Sequence, residues 1–495
     1  MKPAQAFSVK RAQVEFHNFA SLGEPERALR AYAAENVCRS AIIRRHLDFI
    51  GASIGSSIGS GMAPFLEIGA NVGHSSYMMA NEFGADGFAL DISAHSLRYG
   101  SALQDAWGMP RAPVRIAGDA VNLPFADGSL RMVLAFQMLS QFLDIERVFL
   151  EVKRVLAPGG IFLFSEEPMR RLLSLRLYRC PYYKTMKPWE RKLHDWGLLG
   201  YLVRDVIGAH QEESFGIRQN HRMYMGDWDR LIRKHFAAQE YEMLLPNRGW
   251  GEGIVQKIAL YSDPQRSTGT AARWLGGTLS AVCRKAGVAA GTVPDVAEGT
   301  APSINDFEQW LRCPDCHAPF HRDRAADTLQ CTACGYLAAN EGGVFNLLPS
   351  AERSELYPGD RPDIIDFSLP EHTAKLGEGW HGLEGVYGNK FRWIGGRAAA
   401  RLERVHQGPA QIRVRGHAPE AALTGGKPLK IAISMNGLRA GEWTLDRAGL
   451  FILEASVPDA AEYQVELDVS PVWHIHPDVR DLTVNISMIR LVPAE

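Results

Sequence analysis

At 495 residues, 46% of them hydrophobic and 22% charged, the chain reads as globular protein too long for one core, and its length implies about two to four domains. A formal net charge of −2 excludes a global pull toward nucleic acid or acidic lipid, though a local basic patch can hide inside it. The opening stretch lacks the apolar core of a signal peptide, and no apolar run approaches the ~18 residues that cross a bilayer, so a cytoplasmic protein without a transmembrane segment is expected.

Residues 1–62 read as an N-terminal helical segment. Within it EPERALRAYAAENVCRSAIIRRHLDFI spaces Leu29, Tyr32, Val37, Ile42, Ile43, Leu47 and Ile50 at helical intervals behind a proline, and a glycine and serine loop follows. From 63 the runs APFLEIGA, DGFALDIS, APVRIAGD, LRMVLAFQ and GGIFLFSE alternate with helical patterns. This rhythm predicts an α/β domain over 63–265, a parallel sheet with helices on both faces. One of those helices, DIERVFLEVKRVL, has Ile145, Val148, Phe149, Val152, Val155 and Leu156 on one face and stops at Pro158-Gly159-Gly160.

An inserted lid is expected at about 168–226, then closing strands in EYEMLL and IVQKIALYS. A helix at 271–286 and a linker fill 266–306. A cysteine module occupies 307–349, a second linker 350–372, and turn-separated strand runs predict an all-β sandwich over 373–495.

The first run ends in LEIGANVGHSS, placing Glu67, Gly69, Asn71 and Gly73 in a turn between strand and helix. A ligand lying against bare backbone needs positions without side chains, and a tight turn needs residues that tolerate positive φ. The next strand closes on Asp91, followed by Ile92; a carboxylate there can accept both hydroxyls of a ribose. A dinucleotide would need G-x-G-x-x-G, but counting from Gly69 gives Asn71 and His74 at the other two positions, so that pattern fails. S-adenosylmethionine (SAM) carries no phosphate. Glu67 suits its ammonium, Asp91 its ribose, and Asp119, beside Ala120, the amine of its adenine. Gln137, after the fourth strand, could line the pocket.

LEIGANVG, LDIS, AGDAVNLPFADGSL and EVKRVLAPGG, in that order, make residues 63–167 resemble the class I SAM-dependent methyltransferase family. The resemblance implies a Rossmann-like seven-stranded sheet with its last strand antiparallel and SAM across the carboxyl ends of the strands. Two positions depart from the family pattern: Asn71 replaces the middle glycine, and Arg131 stands where an aspartate normally precedes the fourth strand.

Methyl transfer from a sulfonium needs an aligned, desolvated nucleophile and, for oxygen or nitrogen, sometimes a general base. Glu166 and His221 are the candidate catalytic residues, with Glu167 and Tyr224 nearby in sequence. No [DN]-P-P-[YFW] turn follows the fourth strand, which marks down methylation of adenine or glutamine in that style, and the lack of a comparable Pro-Cys pair marks down attack on pyrimidine carbon. The stretch 168–210 counts nine Lys/Arg against three Asp/Glu with interleaved aromatics, a texture suited to a polyanion, a sugar or a lipid headgroup, or to a solvated helical lid.

Seven cysteines include two matched C-x-x-C pairs, Cys313/Cys316 and Cys331/Cys334, fourteen residues apart. Two such turns aim four thiolates at one point and leave no position for water, so the expected ligand is a structural Zn2+, with His317 and His321 as bystanders. With the following GGVFNLLP, the module resembles small zinc-ribbon proteins that partner or precede RNA and protein methyltransferases, which implies a docking or scaffold role. The tail is similar to β-sandwich modules appended to bacterial glycosyltransferases and glycan-modifying enzymes. The function expected from all this is methylation of an oxygen or nitrogen on a glycan or related small metabolite. RNA methylation is the alternative, and a non-catalytic SAM- or glycan-binding scaffold the third reading.

Overall fold

The structure is a computed structural model and describes residues 25–51, 61–142, 144–169, 188–189, 192, 223–244, 259–262, 277–287, 304–386, 389–423, 428–446, 448–475 and 477–494. The chain divides into two compact units, one built from Glu24–Ser174 and Arg218–Arg353, the other containing Ser354–Glu495. Most of the expected lid, 168–226, lies outside the described residues, as do the first 24 residues. No helix among the described residues is long and apolar enough to cross a membrane.

In the first unit, helix α1 (Pro25–Arg45) precedes an alternation of β1 (Phe65–Ile68), α2 (His74–Glu82), β2 (Gly87–Asp91), α3 (Ala94–Trp107), β3 (Val114–Ala117), β4 (Leu130–Phe136), α4 (Ile145–Val155) and β5 (Leu156–Met169). The strands grow from apolar runs, and the central β1 and β2 are buried on both faces, with every residue of each buried. Helix α3 starts where Ser93 accepts the Ser96 N–H at 3.1 Å and ends on left-handed Gly108. Helix α4 is capped by Asp144 and buries Ile145, Val148, Phe149, Val152 and Val155 on one face.

Helix α5 (Met225–His235) and strands β6 (Ala238–Leu244), β7 (Ala259–Ser262) and β8 (Gly277–Arg284) complete the unit's own sheet. Strand β8 corrects the expected helix at 271–286. Its Ser280, Ala281, Val282 and Cys283 are buried, and it lies antiparallel between β5 and β6. Periodicity does not distinguish a short run buried on both faces from a buried helix, and Gly276-Gly277 ends any helix there. The antiparallel strand between β5 and β6 is therefore β8, while the run IVQKIALYS contributes β7, paired with β6 at the margin of the sheet.

The cysteine module forms β9 (Phe320–Asp323), β10 (Thr328–Cys331) and β11 (Leu337–Ala339), a small antiparallel sheet, and then β12 (Val344–Asn346). Strand β12 joins the large sheet, parallel to β3 with Phe345 opposite Ile116, giving the order β12-β3-β2-β1-β4-β5-β8-β6-β7. Among the described residues the seven strands implied by the family resemblance thus become nine. Phe307, Leu311, Cys313, Phe320, Leu329, Cys331, Tyr336 and Phe345 share one core with Phe88, Ile116 and Phe125. The module is built onto the sheet rather than tethered beside it.

The expected linker at 350–372 is also corrected. It contains helix α6 (Ser350–Leu356) and β13 (Ile364–Asp366), because the apolar run Ile364, Ile365 and Phe367 buries itself in the second unit. There β14 (Trp380–Val386), β15 (Asn389–Ile394), β16 (Arg397–Glu403), β17 (Ala410–Ala418), β18 (Leu429–Met435), β19 (Leu438–Leu445), β20 (Gly449–Ser456), β21 (Glu462–Ser470), β22 (Trp473–Ile475), β23 (Asp478–Leu482) and β24 (Asn485–Pro493) follow. They form antiparallel sheets ordered β14-β15-β24-β17-β20, with β13 on β24, and β16-β21-β18-β19, plus the pair β22-β23. Ile412, Val414, Leu453 and Ile489 of the first share a core with Leu402, Ile431, Ile433, Val465 and Leu467 of the second.

Candidate functional site

The strand order β3-β2-β1-β4 sets four carboxyl-end turns side by side, and the predicted cofactor residues sit on them. After β1 the chain turns through Gly69, Asn71 and Gly73, all left-handed with φ of 68, 52 and 82°. A Cβ on Gly69 would lie 2.8 Å from Met138 Cβ and Cγ, so only glycine fits there. The Asn71 N–H donates to Asp91 Oδ2 and the Ser93 N–H to Oδ1, each at 2.8 Å, which fixes the carboxylate plane and leaves lone pairs for a ligand's hydroxyls. Two residues beyond β3, Asp119 is anchored where Val121 N–H donates to its Oδ1 at 3.0 Å, with Ala120 buried beside it. Gln137 is exposed just after β4, with φ of 53°. Ile92 is half-buried next to Asp91.

Glu67 is 1% exposed and accepts the Ser76 hydroxyl proton. Burial pushes its carboxyl up to about 7, partly offset by that hydrogen bond and by Arg39. With Glu67 in β1, Asp91 closing β2 and Asp119 just beyond β3, the site is acidic, a set of acceptors matched to a cationic nucleoside and mismatched to a pyrophosphate. The bare turn and the two backbone-anchored aspartates therefore fit SAM.

The expected catalytic residues fare differently. His221 lies outside the described residues. Glu166 sits at φ 65°, where the β5–β8 register shifts, and its two oxygens take the Arg39 Nε and NH2 protons at 3.2 and 2.9 Å. It pairs with helix α1 through Arg39. Glu167 is fully buried and accepts the N–H groups of Met138, Leu139 and Ser140 at 2.7–2.9 Å, pinning the turn after β4. Burial raises its carboxyl to about 7 against those bonds.

Sequence reasoning missed the α1 residues that cover the hook. Tyr32 stacks on buried His74 at 4.5 Å, Glu35 Oε2 lies 2.9 Å from His74 Nε2, and Asn36 Nδ2 donates to the His74 carbonyl at 3.0 Å. Arg39 reaches Ser75 Oγ at 2.8 Å as well as Glu166. Burial lowers the His74 pKa, so the ring is a neutral packing partner. The only sequence trace of this cluster was the i, i+4 pair Glu35/Arg39 on one helix face.

In the cysteine module the four sulfurs of Cys313, Cys316, Cys331 and Cys334 lie within 4.8 Å of one another. Cys313 and Cys334 are 3.5 Å apart and Cys316 and Cys331 3.4 Å, close to the ~3.8 Å separation of sulfurs around a tetrahedral ion. The N–H groups of Ala333 and Cys334 point at Cys331 Sγ, as donors to a thiolate would. Neither His317 nor His321 belongs to the cluster. The four thiols can hold one metal ion, with no protein ligand left over and no open position.

The methyltransferase-domain family matches residues 66–164, about a fifth of the chain and the part that carries the hook. Norajmaline N-methyltransferase of Rauvolfia serpentina is 27% identical over 26% of this chain and 41% of that protein. Malonyl-[acyl-carrier protein] O-methyltransferase of Methylococcus capsulatus is 35% identical over 24% of this chain and 43% of that protein. The chain thus spans less than half the length of the curated relatives it matches. The solved structure of Haemonchus contortus phosphoethanolamine N-methyltransferase 2 with S-adenosyl-L-methionine is 16% identical, with a TM-score of 0.31, over 51% of this chain and 53% of that one. Residues 66–164 are a SAM-dependent methyltransferase domain.

Proposed function

We propose that the whole chain is a cytoplasmic methyltransferase that transfers the methyl of SAM to an oxygen or nitrogen of a glycan or related small metabolite. The observation that carries this is the acidic, glycine-bared turn at the ends of β1, β2 and β3, lying inside the stretch that matches the methyltransferase family. Glu67 would face the ammonium of the bound cofactor, Asp91 the ribose hydroxyls, Asp119 and Ala120 the adenine, and Ile92 and Gln137 the walls. When bound, SAM supplies an already activated methyl electrophile. The chain's own task is then to align the acceptor, exclude water and receive a proton. Glu166 and His221 are the candidates to receive it; for Glu166 the role requires Arg39 to release one oxygen.

The glycan acceptor is supported by the similarity of the C-terminal unit, read as a β-sandwich, to modules on glycan enzymes. A second reading, RNA methylation, is favoured by the basic stretch 168–210 and by a cysteine module resembling ribbons that accompany RNA methyltransferases. The metal we assign to the four cysteines is Zn2+, in a structural role.

Calorimetry with SAM tests the activity at its root. Micromolar binding is expected, and no heat above background would leave only the scaffold reading. Labelled methyl transfer into fractionated extracts, with and without ribonuclease, separates the acceptors: label in a ribonuclease-resistant glycan or small-molecule fraction is expected, and label lost on ribonuclease treatment selects RNA.

A further inference from the structure

The loop after β3 carries Asp119 and is held from the side by the cysteine module. The Asn122 N–H donates to the Asp119 carbonyl at 3.0 Å, and the Asn122 side-chain Nδ2 donates to the Pro314 carbonyl at 3.1 Å. Pro314 lies inside the first C-x-x-C turn, between Cys313 and Cys316. Further along the loop, Arg312 N–H donates to Pro124 O at 3.1 Å, Ala126 N–H donates to Trp310 O at 2.8 Å, and buried Phe125 bridges to buried Leu311. The path from the cysteine turn to the adenine-side aspartate is therefore one peptide carbonyl and one asparagine.

Four thiolates gathered within 4.8 Å repel one another unless a cation sits among them, so the shape of the Cys313–Cys316 turn depends on the ion. We propose that the four-cysteine turn positions the Asp119 loop through Asn122, so that metal and SAM bind cooperatively. Asn122 is a positioning residue, acting on the cofactor through Asp119. The inference rests on the reading that zinc occupies the cysteines and SAM the hook. A ribbon serving only as a staple would stabilise the unit without favouring its SAM-bound form. Coupling, by contrast, is reciprocal: each ligand must tighten the other by the same factor.

The test uses the full chain. Zinc affinity is measured by competition with a chromophoric chelator, with and without saturating SAM, and SAM affinity by calorimetry on zinc-loaded protein. We expect SAM to tighten zinc about tenfold, within the usual range of such couplings. The Asn122→Asp variant keeps the side chain's shape but turns its donor into a carboxylate facing the Pro314 carbonyl. It should keep one zinc, bind SAM about tenfold more weakly, and lose the SAM-dependent gain in zinc affinity. Asn122→Gln, which keeps an amide donor, should recover part of both. Equal zinc affinity with and without SAM, or wild-type SAM affinity in zinc-loaded Asn122→Asp, overturns the coupling. Protein that takes up no zinc or gives no heat with SAM overturns instead the reading beneath it.

Discussion

Replacing Glu67 by glutamine probes the buried carboxyl at the centre of the hook. Burial is the main reason its pKa climbs from 4.5 to about 7; the Ser76 hydroxyl and Arg39 oppose the rise, and Asp91 adds to it. A carboxyl whose folded pKa is raised holds its proton after the unfolded chain has released it. Below pH 4.5 both states are protonated and nothing is lost. Between 4.5 and about 7 stability falls as pH rises, and above 7 the loss is complete. At 1.36 kcal/mol per unit this amounts to roughly 3 kcal/mol. Glutamine keeps an oxygen for Ser76 but carries no titrating proton, so the variant lacks that fall. Urea unfolding of both proteins without ligand at pH 5, 6, 7 and 8, followed by tryptophan fluorescence, to which buried Trp228 of this unit contributes, gives the comparison. Glu167 titrates in the same window, so the informative quantity is the difference between wild type and variant, which cancels it. That difference should grow by roughly 3 kcal/mol in the variant's favour from pH 5 to 8. A bound ammonium would also draw the proton off Glu67. SAM binding at pH 6 should therefore release a proton in wild type and none in the variant, read by calorimetry in two buffers of different ionisation enthalpy. Parallel stability curves would refute the argument.

Three further perturbations follow from the same geometry. Gly69→Val puts a branched side chain at φ 68° and against Met138, and should cost about 2–4 kcal/mol in urea unfolding and abolish SAM heat; wild-type SAM affinity would count against the hook as the site. Arg39→Met leaves Glu166 without its partner and should destabilise the α/β unit by about 3–5 kcal/mol, with part recovered in the double variant with Glu166→Gln; independent effects of the two changes would show that the pair contributes little. Cys313→Ser should reduce zinc from about one per chain to near none, by metal analysis, and lower the melting temperature of the α/β unit, whose core includes Cys313; retained metal would remove that cysteine from the site.

Strands β1 to β3 were legible because each is a short run closed by Gly or Asp, β4 and β5 because each holds a longer apolar run, and α4 because Ile145, Val148, Phe149, Val152 and Val155 fall on one face. The hook was legible because positive φ demands glycine or asparagine, and those residues stand at 69, 71 and 73. Three things were not. Strand β8 hid because a run buried on both faces has no period. The union of β12 with β3 hid because strand pairing is made by backbone, which every sequence offers equally. The Arg39–Glu166 pair hid because its partners are 127 residues apart, and the local features that mark each of them do not point to the other.

A parallel sheet normally leaves its outermost strand with a row of unsatisfied amides and carbonyls, an invitation to stick to another chain. Here Val344–Asn346 covers that row on Val114–Ala117, and Phe307 and Trp310 close over Phe88 behind it. A fragment trimmed to the family match at residue 164, or stopped near 300, would bare both the strand and the aromatic cluster. The smallest piece of this protein able to keep its large sheet protected on that flank extends through the cysteines to about residue 353.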